Sequence, residues 1–177
     1  MKTPILETDR LILRPLSLND AEHIFNTWTS DPEVTKYMIY DTHETINDTL
    51  SWLNEEVKKI NDDDLYTWGM VLKENNELFG NISLHYDHTK DVFVLGYNIA
   101  KSYWGNGFTT EAGKKVLEFG QNTLGIKKFF CRHANENIGS MKVMTKLGFV
   151  YSNDSTYDSF SGKKHFESKD YYLVIQD

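Results

Sequence analysis

The chain has 177 residues, 40% of them hydrophobic, and a formal net charge of −7. That length is enough for one domain burying about 70% of its unfolded surface. The negative balance argues against a nucleic-acid partner, whose binders carry basic patches; no apolar run reaches membrane-spanning length; and the one cysteine, Cys131, excludes an internal disulfide and fits a reducing cytosol. No Pro/Gly/Ser-rich linker and no repeat divides the sequence, so residues 1–177 read as a single domain. The N-terminus has no signal-peptide pattern, which points to the cytoplasm.

Leu11–Arg14 alternates apolar with polar and reads as a strand ended by Pro15. Ser17 or Asn19 caps a helix through Thr29, with Ala21, Ile24, Phe25 and Trp28 on one face, stopped by Asp31-Pro32. After the aromatic segment Tyr37–Tyr40, Asp41-x-x-Glu44 reads as the capping box of a helix reaching about Ile60. Its apolar stripe is Ile46, Leu50, Leu53 and Val57. Tyr66–Lys73 and Leu78–Tyr86 form a hairpin around Glu74–Glu77, and Asp91–Ala100 is the next strand. Lys127–Ala134 is a further strand, and the tail holds strands near Phe149–Ser152 and Tyr171–Ile175 with a polar loop between them. The order β-α-α-β-β-β-α-β-α-β-β predicts an α/β (α+β) fold: a single mixed, mostly antiparallel sheet flanked by helices.

Between two of those strands lies Gly96–Gly120, GYNIAKSYWGNGFTTEAGKKVLEFG. It reads as a strand end, a tight glycine loop over Lys101–Gly107, and a helix whose stripe is Phe108, Ala112, Val116 and Phe119. Gly105 and Gly107 permit a sharp turn and close approach of a ligand to the backbone. The first amides of a helix have no partner inside it, and the dipole adds positive charge there. Such a junction suits a phosphate or pyrophosphate. The P-loop pattern is excluded because Lys115 follows Gly113-Lys114 where Ser or Thr is required. The dinucleotide pattern is excluded because Thr110 replaces its third glycine. A plain glycine turn with no ligand stays open on this stretch alone.

A second stretch, NENIGSMKVMTKLGF, reads as a helix capped by Asn137 and ended by Gly148. Together, YWGNGFTTEA and NENIGSMKVMTKLGF resemble the GCN5-related N-acetyltransferases, in particular the branch that acetylates ribosomal-protein N-termini. The opening LETDRLILRPLSLNDAEHIF resembles that branch as well. The resemblance implies acetyl-CoA as cofactor. Its pyrophosphate would lie on the backbone of Gly105, Asn106, Gly107, Phe108, Thr109 and Thr110. Trp104 and Thr109 stand at the first and last positions of the family loop, where Gln or Arg and Gly or Ala are usual. The pantetheine arm would run beside Tyr97, Asn98 and Ile99, with Asn137 against it. Ser140 replaces the tyrosine that many relatives use to protonate the leaving thiolate. A serine is a poor acid but donates a hydrogen bond; its competing role is to help the helix cap.

The general base is open. The branch often has Glu before Gly-Tyr, whereas this chain reads Val94-Leu95-Gly96-Tyr97. Asp158 lies near where some relatives place a carboxylate, and Glu111 matches the family's Glu-Ala pair, although an acid is favoured in a first helical turn anyway. Cys131 with His133 two residues on is a conceivable nucleophile pair for a ping-pong route, though a strand cysteine is more often packing. His85 and His88 lack a third ligand, so no metal is expected. Of Trp28, Tyr37, Tyr40, Trp52 and Trp68, one or two are expected in an acceptor pocket. The resemblance favours transfer to a primary amine, either a protein N-terminus or a small molecule, by direct attack in a ternary complex. A polyamine acetyltransferase and a non-catalytic acyl-CoA-binding module are the rivals. A spare sheet edge permits a monomer or a homodimer.

Overall fold

The computed structural model describes residues 1–176. Eight strands are present among them: β1 Leu6–Glu7, β2 Leu11–Arg14, β3 Leu65–Leu72, β4 Glu77–Asp87, β5 Val92–Ile99, β6 Lys128–Ala134, β7 Val150–Asp158 and β8 His165–Val174. They form one sheet in the order β1-β2-β3-β4-β5-β6-β8-β7. Neighbours are antiparallel except β5 and β6, which are parallel. The helices are α1 Ala21–Ile24, continued by a π turn over Phe25–Thr29, then α2 Pro32–Thr35, α3 Ile46–Lys58, α4 Phe108–Asn122 and α5 Ile138–Lys146. The mixed, mostly antiparallel sheet flanked by helices is therefore the architecture found.

The period-two alternation of β3 divides the core. Trp68, Met70 and Leu72 face one way and pack with Ala112, Val116 and Phe119 of α4. Val71 faces the other way and joins Ile24, Trp28 and Leu53 from the α1 and α3 side. Phe119 meets Tyr66 and Trp68 edge-on, with ring centroids 5.6 and 5.5 Å away. Burying each such side chain contributes about 1.5–3 kcal/mol, so α4 is fixed firmly along its apolar stripe.

Several local expectations are corrected. Strand β1 is only two residues long, too short for an alternation to show. The first helix begins as a 3-10 turn at Leu18–Asp20 after Ser17, whose amide donates to Asp20. Asp31-Pro32 does more than stop a helix. The Asp31 carboxylate accepts from the Glu33 amide, and Pro32 opens α2. The box Asp41-x-x-Glu44 does not form. The amides of Glu44 and Thr45 both donate to Asp48, at 3.0 and 3.1 Å, so α3 starts at Ile46. In the tail, the polar stretch placed in a loop is mostly strand. β7 and β8 pair from Val150↔Tyr172 to Asp158↔His165, leaving only residues 159–164 as the turn. Ser, Asn and Asp have low strand propensity, and the pairing partner decides their conformation here.

Candidate active site

The site begins where the one parallel pair comes apart. β5 and β6 are in register only at Phe93↔Phe129 and Val94↔Phe130. β5 continues to Ile99 against β4, and β6 to Ala134 against β8. The strands therefore diverge, and the β6-facing edge of Tyr97–Ile99 is left without a strand neighbour. Gly80 lets β4 follow this bend; a Cβ there would lie 2.5 Å from the Asn98 carbonyl oxygen. The divergence opens a cleft of about 610 Å³, lined by Tyr97, Asn98 and Ile99, the 103–110 loop and helix start, and the start of α5.

The mouth of the cleft is built of bare amides. Gly105 and Gly107 have φ of +76° and +77°, the left-handed region that favours glycine. Gly107 is the N-cap of α4 and no side chain caps that end. The next amide with an acceptor is that of Glu111, which donates to Gly107. Among the described residues the main-chain N–H groups of Gly105, Asn106, Gly107, Phe108, Thr109 and Thr110 have no protein acceptor. Unpaired donors at the positive end of a fifteen-residue helix form an anion site.

The loop is held from behind. The Asn106 side chain donates to the carbonyls of Tyr103 and Trp104, both at 3.1 Å. Trp104 Nε1 donates to the Ile99 carbonyl at 2.9 Å, tying loop to strand. Arg10 was missed by the sequence reading. Its guanidinium donates to the Asn106 carbonyl at 3.1 Å and lies 4.5 Å from the Phe108 ring centroid. Glu111 anchors it, accepting from Arg10 Nε at 2.7 Å, the Arg10 amide at 3.0 Å and the Thr8 hydroxyl at 2.7 Å. Burial works to raise the Glu111 pKa, but these hydrogen bonds win and hold it below the usual carboxylate range. Glu111 is thus a brace, not a base. No local pattern in the sequence announces the pairing of Arg10 with Glu111 across a hundred residues.

Asn137 caps α5, its Oδ1 accepting from the Ser140 amide at 3.2 Å. The cap uses the main chain of Ser140 and leaves its hydroxyl free for other work. That hydroxyl lies 2.7 Å from the Tyr97 hydroxyl, which also donates to the Ser140 carbonyl at 3.2 Å. Burial, with the neighbouring Cys131, holds the Tyr97 pKa well above its ordinary value, so the phenol stays a donor. The Cys131 thiol is itself pushed up to about 12 by burial and donates to the Leu95 carbonyl at 3.3 Å. His133 is 3% exposed and turns its nitrogens to the Ala134 carbonyl and the Tyr171 hydroxyl, not to Cys131. The cysteine is packing, and the ping-pong pair does not form.

The opposite lip is Glu33, Val34, Tyr37 and Met38. Glu33 pairs with Lys101. The lip is backed by the β7–β8 hairpin: Tyr157 donates to the Tyr37 carbonyl at 2.6 Å, and Lys164 to the carbonyls of Thr35 and Tyr40 at 3.1 and 3.0 Å. Of the five aromatics considered, Tyr37 reaches the cleft, Tyr40 lies behind it hydrogen-bonded to Asn98, Trp28 and Trp68 are core, and Trp52 packs partly buried against the Ile24–Leu53 cluster. Asp158 does not line the cleft. It ends β7, its side chain is 66% exposed, and its carboxylate accepts from His165 at 2.5 Å. Among the described residues no group of three His, Cys, Asp or Glu side chains is arranged to hold a metal, and no helix is long and apolar enough to cross a membrane.

A cleft between two diverging strands, with a turn of unpaired amides at its mouth, suits an elongated ligand with a negatively charged end. The sequence profile of the acetyltransferase (GNAT) domain matches residues 10–150. The chain is 32% identical over 166 residues to YoaA, an uncharacterised N-acetyltransferase of Bacillus subtilis, covering 88% of this chain and 93% of that protein. Among solved structures it resembles the ribosomal L7/L12 α-N-protein acetyltransferase RimL in complex with coenzyme A, at a TM-score of 0.84 and 13% identity over 97% of this chain and 98% of that one. It also resembles a spermidine N-acetyltransferase from Vibrio cholerae in complex with CoA and spermine, at 0.77 and 21% over 94% and 96%. The chain belongs to the GNAT acetyltransferase family and is an N-acetyltransferase.

Proposed function

We propose that the protein moves an acetyl group from acetyl-CoA to a primary amine by direct attack in a ternary complex. The observation that carries this reading is the run of bare amides from Gly105 to Thr110 at the open end of the cleft. Those donors fit a pyrophosphate, and left-handed glycines keep side chains out of its path. The unpaired edge of Tyr97–Ile99 fits the amide-bearing arm of the cofactor, which is held there as an added strand would be. Asn137 and Ser140 line the same cleft at the start of α5, within reach of the reacting end of that arm on this reading.

Acetyl-CoA, when bound, supplies the thioester. As the amine nitrogen bonds to the acetyl carbon and the C–S bond breaks, Ser140 would give a hydrogen bond from its hydroxyl to the sulfur, and the proton the amine loses ends on the released thiol. Tyr97 would then turn its one hydroxyl hydrogen from the Ser140 carbonyl to Ser140 Oγ, 2.7 Å away, replacing the hydrogen bond the serine gives up. The acceptor enters between Tyr37 and Met38 on one side and β5 on the other. An α-amine, with a pKa of about 7.7–8, is already partly neutral near pH 7, whereas a lysine amine at about 10.4 needs a base. Glu33 of the lip and Glu136, in the turn before the α5 cap, are the acids lining the cleft. Together with the −7 net charge they favour a cationic acceptor, so a polyamine is the second reading.

Thiol release from acetyl-CoA is the test, measured across peptides with free N-termini, polyamines and simple amines. Turnover on one class establishes transfer and names the acceptor. Tight acetyl-CoA binding with no turnover on any of them makes the chain an acyl-CoA-binding module, and absence of binding removes the cradle reading.

A further inference from the structure

The sheet splits between β5 and β6, and one stretch of chain is fastened to both halves. That stretch is the lip over residues 36–40, which is neither helix nor strand. Its internal main-chain bonding is thin: the Met38 amide donates to the Thr35 carbonyl at 3.0 Å. On one side it is tied to β5, where the Asn98 side chain donates to the Tyr40 hydroxyl. On the other it is tied to the β7–β8 hairpin, which belongs to the β6 half of the sheet.

Three donors of the hairpin meet four carbonyls of the lip. Tyr157 takes that of Tyr37 at 2.6 Å, and the Phe160 amide takes that of Ile39 at 2.8 Å. Lys164 Nζ takes those of Thr35 and Tyr40 at 3.1 and 3.0 Å, so one ammonium grips both ends of the lip. The turn that carries Lys164 is closed on itself. The Ser159 amide donates to the Lys164 carbonyl at 2.9 Å, and the Lys164 amide donates to the buried Ser159 hydroxyl at 3.1 Å. A side chain held at root and tip has little rotamer freedom left, so its ammonium is a fixed point. The lip shows Tyr37 and Met38 to the cleft. The anion cradle is braced separately, by Arg10 and Glu111. Loosening the lip therefore changes the wall that an acceptor meets and leaves the cradle as it was.

We propose that Lys164 is a positioning residue for the acceptor amine: it straps the lip across the split between β5 and β6 and so fixes the slot through which the amine reaches the thioester. The proposal rests on the transfer reading above. Without the strap the lip holds its binding position for only part of the time, and acceptor affinity falls by that fraction.

The test is steady-state kinetics on the intact chain, wild type, Lys164→Met and Lys164→Arg, with a short free N-terminal peptide and spermidine as acceptors. For whichever acceptor is turned over, Lys164→Met should raise its KM by about tenfold, the worth of one charge-assisted contact. The kcat and the KM for acetyl-CoA should stay within about twofold of wild type. Lys164→Arg, which keeps the charge and the donors, should recover most of the lost affinity. Amide hydrogen exchange should quicken over residues 36–40 and stay unchanged over 108–122. Should Lys164→Met melt too low to assay, Tyr157→Phe removes the Tyr37 tie alone and should shift the acceptor KM in the same direction. An unchanged acceptor KM, an equal rise in both KM values, or an arginine variant no better than the methionine one would overturn the strap. A wild type that binds acetyl-CoA and acetylates neither acceptor would overturn the transfer reading itself, a result distinct from an unmoved KM.

Discussion

Gly107→Ala, read against Gly125→Ala, isolates the cradle. Both glycines have positive φ, +77° and +69°, and a Cβ on either meets open space or only the tip of Arg10 at 3.7 Å. An L-residue in that conformation costs about 1–2 kcal/mol. Stiffening the unfolded chain returns about 0.4–1 kcal/mol, leaving a net loss of about 1 kcal/mol for each variant. For a chain of this size that is a fall in Tm of about 2–4 °C, the same for both. Their effect on the cofactor should differ. Gly125 lies in the turn between α4 and β6, outside the cleft. Gly107 is the N-cap from which the bare amides fan out. A methyl group there, or a relaxation of φ to escape strain, displaces one or two charge-assisted hydrogen bonds, worth about 1.5–3 kcal/mol each. Acetyl-CoA affinity by calorimetry should fall at least about tenfold in Gly107→Ala and stay at the wild-type value in Gly125→Ala. Equal affinities in the two variants, with equal Tm losses, would show that the turn holds no phosphate.

Ser140→Ala should lower turnover by about tenfold while leaving acetyl-CoA affinity nearly unchanged, and Tyr97→Phe should do the same. In a double-mutant cycle the second change should add little to the first; full additivity of the rate losses would mean the 2.7 Å hydroxyl pair has no part in the reaction. Cys131→Ala should retain acetyl transfer and lose about 1 kcal/mol of stability, read by denaturant titration; an inactive, folded variant would restore the thiol as nucleophile. Glu56 is partly buried beside Pro15 and Leu65, with Oε2 lacking a partner. Burial raises its pKa against the opposing pull of Thr67 and Lys59, so the folded state binds its proton more tightly than the unfolded one. Its contribution to stability is therefore present at acid pH and lost as pH rises through the folded pKa. Glu56→Gln should make melting temperature less dependent on pH in that range and higher than wild type at neutral pH; an unchanged pH profile would contradict this.

The site was legible where its chemistry lies in a short stretch. The glycine loop, the first turn of α4 and the Asn137 cap are local devices, and local residue types announce them. The sheet and its helices were legible because their apolar periods are strong, as in the α4 stripe. What stayed hidden depends on partners far along the chain. Arg10 and Glu111 meet only after folding. Tyr97 was read for its main chain, and its hydroxyl acquires a role only when α5 brings Ser140 to it. The α3 cap was misread because Asp48 outcompetes Asp41 for the amides of Glu44 and Thr45, a contest between two acceptable acids that spacing alone does not decide. The stretch between Ser152 and Tyr171 was read as loop because its residues favour turns; the ladder to β6 extends β8, and the ladder to β8 extends β7.

The tie from Thr8 and Arg10 to Glu111 and the Asn106 carbonyl makes the opening residues and the turn proposed to hold the phosphate a single mechanical unit. By thermodynamic reciprocity, a coenzyme that steadies the turn also fastens down the front of the polypeptide, and anything that tugs on that front loosens the coenzyme without touching it. A fusion or trimming upstream of residue 8 is thus a change to the ligand's seat, although the two lie a hundred positions apart in the chain.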